Sequence, residues 1–253
     1  MKVLVTFALA NEFAPWRKLR RFQRVSNDAW DQTYVVQIGL ADVRVILTGA
    51  GRFAAQRALA RGFDCVPDVC IASGLCGGLR PMYRPGAVLA ARAAADVQGT
   101  RLIRSDAELI SRADEGGAKI VEKFWVSDRV LATAEEKRSL GDSGDAVDME
   151  SVYILAAAAQ RGVRSVAIRA VSDAAESNLP LDFDRAFNEC GGVSVPKVLG
   201  QILRRPDRIG GLLRLAHESE RAAAALAGFL DAYVPRLTAG PLPEIAKAEA
   251  LAI

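Results

Sequence analysis

Carboxyl groups are the side chains in this sequence best placed to carry out acid–base chemistry. Glu12, Glu150 and Asp173 each stand just beyond an apolar segment or at the start of a helical one. The only histidine, His217, lies far from them in a helical tail, so a Ser–His or Cys–His nucleophile system is hard to build. The sequence therefore predicts that acidic residues do the acid–base work.

The cysteines do not form a metal-binding pattern. Cys65, Cys70, Cys76 and Cys190 contain no C-x-x-C pair, and the single histidine is distant from all of them. Unpaired cysteines are commonly plain core residues. We therefore expect buried free thiols, with no bound metal and no cofactor.

Two glycine-rich segments, Thr48–Arg52 and Ser73–Gly78, follow the third and fourth predicted strands. Glycine lets a backbone approach a ligand closely, because it has no Cβ and tolerates positive φ. Neither segment matches a P-loop or a dinucleotide-binding loop, and a tight strand-to-helix turn would explain either one alone. In open α/β sheets, however, ligands bind beyond the carboxyl ends of the strands. Together with the acidic residues, these segments predict a small-molecule site.

Apolar, mostly β-branched segments alternate with helical segments along most of the chain. The predicted strands are residues 3–8, 34–39, 43–48, 69–73, 87–91, 120–125 and 166–171. The predicted helices are residues 52–62, 131–140, 150–161 and 183–203. Residues 99–117 are polar and flanked by glycine, which predicts a loop with a short helix. The alternation predicts an α/β fold with a single domain, whose central mixed, mostly parallel, twisted sheet is flanked by helices.

Composition also predicts how the chain is divided. With 253 residues, it is long enough for one large core. Residues 1–204 are predicted to form the α/β domain, and residues 205–237 a helical C-terminal extension of the same domain. Residues 238–253 are rich in alanine and proline, which predicts a disordered tail.

The balance of charge argues against nucleic acid as a partner. Thirty-three Lys and Arg against 30 Asp and Glu leave a net charge of +3, far below that of a dedicated nucleic-acid binder. The apolar residues 3–10 are too short for a signal segment, and no later apolar run approaches membrane-spanning length. The sequence therefore predicts a cytoplasmic protein.

A segment near the N-terminus mixes aromatic and basic residues, and two interpretations fit it. Residues 13–22 place Phe13, Trp16, Leu19 and Phe22 among four arginines and lysines, a mixture expected of a helix that lies on a membrane surface. The same pattern fits an ordinary first helix that packs its apolar stripe on the sheet. We favour the ordinary helix, because every helix of an α/β fold needs such a stripe, and keep peripheral membrane contact as the alternative.

Five ordered motifs connect the chain to a known family. They are Met1-Lys-Val leading to Glu12, Thr48-Gly-Ala-Gly51, Ser73-Gly-Leu-Cys-Gly-Gly78, Val147-Asp-Met-Glu150 and Arg169-Ala-Val-Ser-Asp173. Together they resemble the purine nucleoside phosphorylase superfamily, and within it the nucleosidases that hydrolyse methylthioadenosine and S-adenosylhomocysteine. The resemblance covers most of residues 1–200. It implies a nucleoside phosphorylase-like fold, a nucleoside as the small-molecule substrate, and a homodimer or larger homo-oligomer.

By that resemblance, the acidic residues have distinct roles. Asp173 would be the general acid that protonates the purine at N7, and Glu12 would orient or deprotonate the attacking water. Glu150 would bind the ribose hydroxyls, and Met149 would pack beneath the sugar. A carboxyl group kept partly protonated by an apolar pocket can deliver such a proton. The other implied substrate-binding residues are Ser172, Ala50, Gly51, Leu75, Cys76, Gly77, Val130 and Leu131.

Residues around the second glycine-rich segment favour water over phosphate as the nucleophile. Related phosphorylases hold phosphate with an arginine and a serine at places where this chain has Ala72 and Leu75. Apolar side chains cannot replace those donors, and burying phosphate without them would be costly. Arg52 and Arg169 remain alternative phosphate ligands, so phosphorolysis stays open.

A closer resemblance covers nearly the whole chain as far as Leu237. The segment Gly74-Leu-Cys-Gly-Gly-Leu79, the run 127–137 and the tail 203–217 look like the nucleosidase-like proteins of bacterial hopanoid synthesis. This implies release of adenine from adenosylhopane, a lipid-linked nucleoside, to leave ribosylhopane. The alternatives are a methylthioadenosine/S-adenosylhomocysteine nucleosidase, a phosphate-dependent purine nucleoside phosphorylase, and a non-catalytic nucleoside-binding module.

Overall fold

The computed structural model describes residues 1–25, 32–63, 66–182, 201 and 205–238. The strands are β1 (Lys2–Phe7), β2 (Gln23–Arg24), β3 (Gln32–Ile38), β4 (Ala41–Leu47), β5 (Val69–Gly78), β6 (Val88–Asp96), β7 (Leu102–Arg104), β8 (Lys119–Val126), β9 (Ala146–Asp148) and β10 (Arg164–Asp173). The helices are α1 (Ala10–Leu19), α2 (Arg52–Gly62), α3 (Ala107–Glu115), α4 (Ala134–Gly141), α5 (Ser151–Ala159) and α6 (Ile209–Leu237).

One mixed sheet forms the centre of the fold. Parallel pairings join β4 to β1, β1 to β5 and β5 to β10, and also β6 to β8 and β8 to β9. Antiparallel pairings of β10 with β6 and of β5 with β9 close five strands into a ring. Because β1, β4, β5 and β10 run in parallel, their carboxyl ends meet at one edge of the sheet. The predicted α/β fold with a mixed, helix-flanked sheet is confirmed.

Strand β1 illustrates why the apolar segments become central strands. It pairs with β4 on one side and β5 on the other, and Val3, Leu4, Val5 and Phe7 are all buried. A strand covered on both faces needs a continuous apolar run rather than an alternating one. The continuous run at the start of the sequence therefore encodes an interior position.

Helix α6 covers one face of the sheet. Its buried residues recur every three or four positions; they are Ala222, Ala223, Leu226, Ala227, Phe229, Leu230, Tyr233, Val234 and Leu237. The helix packs against α1 and β10, and the Tyr233 hydroxyl donates a 2.8 Å hydrogen bond to the Leu109 carbonyl oxygen. The helical C-terminal segment predicted from the sequence is confirmed.

Two local predictions were wrong. Residues 74–78, predicted as a turn after a short strand, continue β5 as far as Gly78, because pairing with β10 and β9 on its two sides outweighs the low strand propensity of glycine. Residues 99–117 contain the strand β7 as well as the helix α3. The predicted helix 183–203, apart from residue 201, and the predicted tail beyond residue 238 lie outside the described residues.

The aromatic side chains of the N-terminal segment face the protein interior. Phe13, Trp16 and Phe22 are buried and pack around Phe7 or one another. The Trp16 indole N–H donates a 3.2 Å hydrogen bond to Asp231 on α6. The ordinary-helix interpretation is confirmed. The membrane-surface alternative for this segment is wrong, because rings held between the sheet and α6 are not available to a bilayer.

Replacing Trp16 by serine should therefore destabilise the fold rather than change a surface. Trp16 is 0% exposed, and truncating a buried aromatic residue costs about 3–5 kcal/mol. The measurement is the free energy of unfolding in urea. Leu19→Ser is the control on the same helix, because Leu19 is 59% exposed and should change that free energy by less than about 0.5 kcal/mol. Equal losses in the two variants would contradict the buried position of the indole.

Of the helices in the described part of the chain, none combines the length and the apolar composition that crossing a membrane requires. In the same residues, no group of three or more His, Cys, Asp or Glu side chains is arranged to hold a metal ion. Cys70 and Cys76 are buried and free, as predicted. Cys65 and Cys190 lie outside the described residues.

Candidate active site

Strand β5 is the floor of a cluster of ionisable side chains at the carboxyl edge of the sheet. Gly74 has a φ of +141°, and a Cβ at this position would lie 2.5 Å from Arg169 Nη1 and 3.1 Å from Glu12 Oε2. A Cβ at Gly77 would lie 3.2 Å from Asp173 Oδ2. Because these two glycines have no side chain, the charged groups of Arg169, Glu12 and Asp173 can lie directly against the backbone of β5.

Glu12 is buried in the first turn of α1. Its Oε2 accepts hydrogen bonds from the backbone N–H groups of Ala8 (3.0 Å) and Leu9 (3.1 Å), and its Oε1 accepts one of 3.2 Å from Leu75 on β5. A carboxylate offers about four lone-pair positions, so the backbone leaves roughly one of them on Oε1. Glu12 is thus held rigidly and keeps an acceptor position for a ligand.

Arg169 is the buried cation at the centre of the cluster. Its Nε lies 2.9 Å from Asp148 Oδ2, and its Nε and Nη2 donate hydrogen bonds of 3.2 and 3.1 Å to the Ser151 hydroxyl oxygen. Its Nη1 lies 3.5 Å from Glu150 Oε2 and, among the described residues, makes no hydrogen bond. The guanidinium therefore compensates two buried carboxylates and turns one unsatisfied N–H group toward Gly74.

Asp148 organises the start of α5 and so places Glu150. Its Oδ1 accepts hydrogen bonds of 3.0 Å from the backbone N–H groups of Glu150 and Ser151, which fixes the turn that leads into α5. Glu150 reaches the turn before α2, where its Oε1 accepts a 2.7 Å hydrogen bond from the Gly51 N–H. Met149 flanks the same turn, since its Cε would lie 3.9 Å from a Cβ at Gly51.

Asp173 ends β10 as half of a buried ion pair. Its Oδ1 lies 2.6 Å from the Ser172 hydroxyl, and its Oδ2 is bound by the ammonium group of Lys137 on α4. The Lys137 Nζ also donates hydrogen bonds to the carbonyl oxygens of Ala174 (2.9 Å) and Ser177 (3.1 Å). The residue predicted as general acid thus has a cationic partner.

Three smaller predicted site residues lie beside this cluster. Ala50 is half-buried in the turn before α2, Leu75 is half-buried on β5, and Cys76 is buried next to it. The Ser172 hydroxyl lies 3.1 Å from the Cys76 carbonyl oxygen as well as close to Asp173, so it can donate to either group. The contact of all three residues with a substrate stays a prediction.

Val130 and Leu131, predicted to contact the base, lie in the segment between β8 and α4. Leu131 is buried and packs in a small apolar cluster with Leu79 and Val147. A Cβ at Gly77 would lie 3.4 Å from the Val147 side chain. The apolar cluster and Asp173 therefore both lie next to Gly77 on β5. Val130 is half-buried beside Leu131.

Burial and charge together set the protonation of the cluster. Burial raises the pKa of Glu12 above its usual value, although Arg169 and the backbone N–H groups oppose the shift. Burial also raises the pKa of Glu150 to about 7 against the opposing charge of Arg169. For Arg169, burial lowers the pKa, but Asp148, Glu150 and Glu12 outweigh burial and raise it overall. Burial, reinforced by Asp148, raises the pKa of the Cys76 thiol well above its usual value, so the thiol stays protonated.

The sequence did not assign the two cations of the cluster. Arg169 is predicted only as an alternative phosphate ligand, although an arginine inside an otherwise apolar strand is a signal for a buried charge that needs partners. Lys137 stands in the charged run Ala134–Gly141, which has the composition of a solvated helix face. No local signal distinguishes it from its neighbours.

Solved structures show which fold the chain has. The native futalosine hydrolase of Helicobacter pylori strain 26695 aligns with a TM-score of 0.72 and 16% identity, over 93% of this chain and 98% of that one. The methylthioadenosine/S-adenosylhomocysteine nucleosidases of Campylobacter jejuni (TM-score 0.71, 15% identity) and Neisseria meningitidis (0.69, 21%) each align over 93% of this chain and 99% of theirs. The fold is that of the nucleoside phosphorylase-like α/β proteins.

Sequence comparison gives the family. Residues 2–203 match the family described as the phosphorylase superfamily. This match covers well over half of the chain, so the chain belongs to the phosphorylase superfamily. No curated protein matches it.

Proposed function

We propose that this protein is a nucleosidase that hydrolyses the N-glycosidic bond of an adenosine-type nucleoside. One observation carries the proposal: Glu12 and Asp173 lie over glycines of β5, and Arg169, which lies over Gly74 beside Glu12, brings Glu150 to within 3.5 Å of its Nη1. Hydrolysis through an oxocarbenium-like transition state needs one carboxyl group for water and another for the leaving group. A non-catalytic binding module has no need for one carboxyl group that activates water and a second that protonates the leaving group.

Glu12 is the proposed base for the attacking water. Three backbone N–H groups fix its carboxylate, and the remaining lone pair on Oε1 can accept a proton from water. The unsatisfied Nη1 of Arg169 lies beside Glu12 over Gly74 and can donate to the same water. The two groups would thus hold the nucleophile between an acceptor and a donor.

Asp173 is the proposed acid for the departing base. A purine leaves slowly as an anion, and a proton delivered to N7 makes it a better leaving group. Asp173 lies beside Gly77, which has no side chain to fill the space next to Oδ2, and the Ser172 hydroxyl lies 2.6 Å from its other oxygen. The apolar wall of Leu79, Leu131 and Val147 next to Gly77 suits the face of an adenine ring.

Glu150 and Met149 are the proposed ribose contacts. Glu150 has one oxygen on the Gly51 N–H and the other 3.5 Å from Arg169 Nη1. A carboxylate so placed keeps lone pairs for neighbouring hydroxyl groups. Met149 lies against the same turn, where a flexible thioether can pack under a sugar.

The surroundings of the cluster favour water over phosphate. Ala72 is buried within β5, and Leu75 contributes its backbone N–H to Glu12, so neither offers a side-chain donor. Within the described part of the chain, Arg169 uses Nε and Nη2 for Asp148 and Ser151, which leaves only its Nη1 for a ligand. Arg52 is exposed, with its guanidinium over the Tyr153 ring at 5.5 Å. One exposed arginine is a poor substitute for the several donors that a buried phosphate needs.

For the substrate, we propose adenosylhopane, cleaved to ribosylhopane and adenine. The support is the resemblance of the 74–79, 127–137 and 203–217 segments to the hopanoid-associated nucleosidases. By the wider resemblance, Ala50 stands where methylthioadenosine nucleosidases carry a larger residue against the 5′ group. Phe53, three residues further on, is 81% exposed, which would place an apolar ring beside a lipid substituent leaving the site.

The deciding experiment is adenine release by the purified protein, with and without phosphate. The substrates are methylthioadenosine, adenosine and a 5′-alkyl adenosine with a long chain. We expect release without phosphate and a preference for the long chain. A preference for methylthioadenosine would return the protein to the salvage nucleosidases. Strict dependence on phosphate, with ribose 1-phosphate as product, would make it a phosphorylase, and binding without release would leave a nucleoside-binding module.

A further inference from the structure

The ammonium group of Lys137 has a complete set of acceptors. Lys137 is 1% exposed, and its Nζ faces Asp173 Oδ2 and the carbonyl oxygens of Ala174 and Ser177. Three acceptors match the three N–H donors of an ammonium group, whereas a neutral amine would turn its lone pair toward one of them. A buried lysine is costly unless it is paired in this way. The resting pair is therefore an ammonium group and a carboxylate.

That resting state leaves Asp173 without a proton to give. A carboxylate only accepts hydrogen bonds, and the Ser172 hydroxyl on its Oδ1 is far too weak an acid to replace a carboxyl group. The acidic proton closest to Asp173 is on Lys137. We propose that Lys137 is the proton source for the departing base and acts on it through Asp173, an inference that rests on the proposed nucleosidase function.

The geometry of Asp173 suits such a relay. Its Oδ2 faces Lys137 and also borders the open space over Gly77, where a Cβ would lie at 3.2 Å. A carboxylate oxygen has two lone pairs in its plane, so one can face the ammonium group and the other the purine. When the Ser172 hydroxyl donates to Oδ1, 2.6 Å away, it limits rotation of the carboxyl group. Lys137 is thus a positioning residue that need not touch the substrate.

The proposed hydrolysis neither gains nor loses protons overall. The bond between C1′ and the base nitrogen breaks, and its electron pair goes to the purine ring. Asp173 Oδ2 takes a proton from Lys137, which becomes a neutral amine, and passes that proton to N7. Water forms the new bond to C1′ and gives its proton to Glu12. Glu12 then loses a proton to solvent and Lys137 regains one, so the net reaction is hydrolysis.

The departing base makes the transfer from lysine feasible. A departing purine anion is a strong base, and it appears only as the bond breaks. The ammonium group on Asp173 Oδ2 therefore meets a strong base next to that oxygen only in the transition state, where a positioned proton donor lowers the barrier.

Two substitutions of Lys137 separate its proton from its charge. Lys137→Arg keeps a cation beside Asp173 but cannot release a proton, because a guanidinium is not deprotonated in proteins. Lys137→Met removes both. Arg138→Met is the matched control, since Arg138 is the next residue of α4 and is exposed. Each variant is assayed on the preferred adenine nucleoside and on a nitrophenyl riboside with the same 5′ group, whose leaving group departs without protonation. Thermal melting reports whether each variant folds.

We expect both Lys137 variants to lose about 100-fold or more in kcat for adenine release and less than about threefold for nitrophenol release, with Arg138→Met like the parent on both. Near-parental adenine release by Lys137→Arg would overturn the proposal, because charge alone would then suffice. Equal losses on both substrates would also overturn it and assign Lys137 a purely structural role. If the parent does not cleave the nitrophenyl riboside, the rate of adenine release by Lys137→Arg is by itself the deciding measurement.

A folded parent that releases no base from any nucleoside would refute the proposed function itself, and the relay with it.

Discussion

Replacing Asp173 by asparagine should lower kcat for adenine release by roughly 10²- to 10⁴-fold, the usual contribution of a general acid. Asparagine has the shape of aspartate, but Ser172 and Lys137 face different oxygens of Asp173, and the single carbonyl oxygen of an amide can accept from only one of them. An amide also cannot pass a proton to N7. The dissociation constant of the nucleoside, measured by calorimetry, should stay within about tenfold of that of the parent. A loss confined to kcat is the signature of a group that acts in the transition state.

The control for this change is Asp114→Asn. Asp114 is exposed on α3, so the same substitution there should leave turnover and melting temperature unchanged. The Lys137 ammonium loses its counter-charge in Asp173→Asn but keeps the carbonyl oxygens of Ala174 and Ser177, so the variant should still fold. Turnover within threefold of the parent would show that Asp173 is not on the path of the proton.

Replacing Arg169 by methionine should have the largest effect on stability. The guanidinium is the buried cation between Asp148 and Glu150 and close to Glu12. Removing one partner of a buried ion pair costs about 3–5 kcal/mol, because the other charge is left uncompensated. Methionine keeps the volume of the side chain, so lost charge rather than lost packing is tested. The measurement is the free energy of unfolding in urea at pH 8.

This loss should shrink as the pH falls. Burial raises the pKa of Glu12 and Glu150 above their usual values, and Arg169 opposes both shifts, so the variant should have still higher values. A carboxyl group whose pKa is higher in the folded state favours the folded state at low pH and loses that contribution as the pH rises through the folded pKa. The deficit should therefore be smaller at pH 5 than at pH 8.

Arg92→Met is the matched control for charge. Arg92 lies on β6 and pairs with Glu122 at 3.2 Å, but its side chain is 53% exposed. Exposed ion pairs contribute at most about 1 kcal/mol, so this variant should remain close to the parent at both pH values. If Arg169→Met lost as little free energy of unfolding as Arg92→Met, the result would mean that water reaches the carboxylates of the cluster.

Local patterns in the sequence were sufficient for most of the fold. The continuous apolar run at Val3 and the β-branched segments predict strands because burial on both faces of a sheet requires them, and the structure has strands there. The stripe of Phe13 and Trp16 likewise predicts a helix packed on the sheet. These predictions succeed because periodicity reflects the environment of each segment over a few residues.

Local reasoning failed where long-range pairing outweighed local preference. Gly74 to Gly78 have the composition of a turn, yet they continue β5 because β10 and β9 supply hydrogen bonds on both sides. The helical segment with four nearby basic residues left a membrane-facing helix as the less favoured alternative until the packing of Trp16 against α6 was known. Propensity cannot register partners that are distant along the chain.

What the sequence determined by itself is a chain of α/β type, with carboxyl groups placed after strands and glycines that let groups approach the backbone. Only the tertiary structure decided which charges meet. Lys137 and Asp173 are 36 residues apart, and Lys137 stands in a run that looks solvated, while Arg169 meets Asp148 and Glu150 across the sheet. An ion pair depends on the distance and burial of two side chains, and both are products of packing that no local pattern encodes.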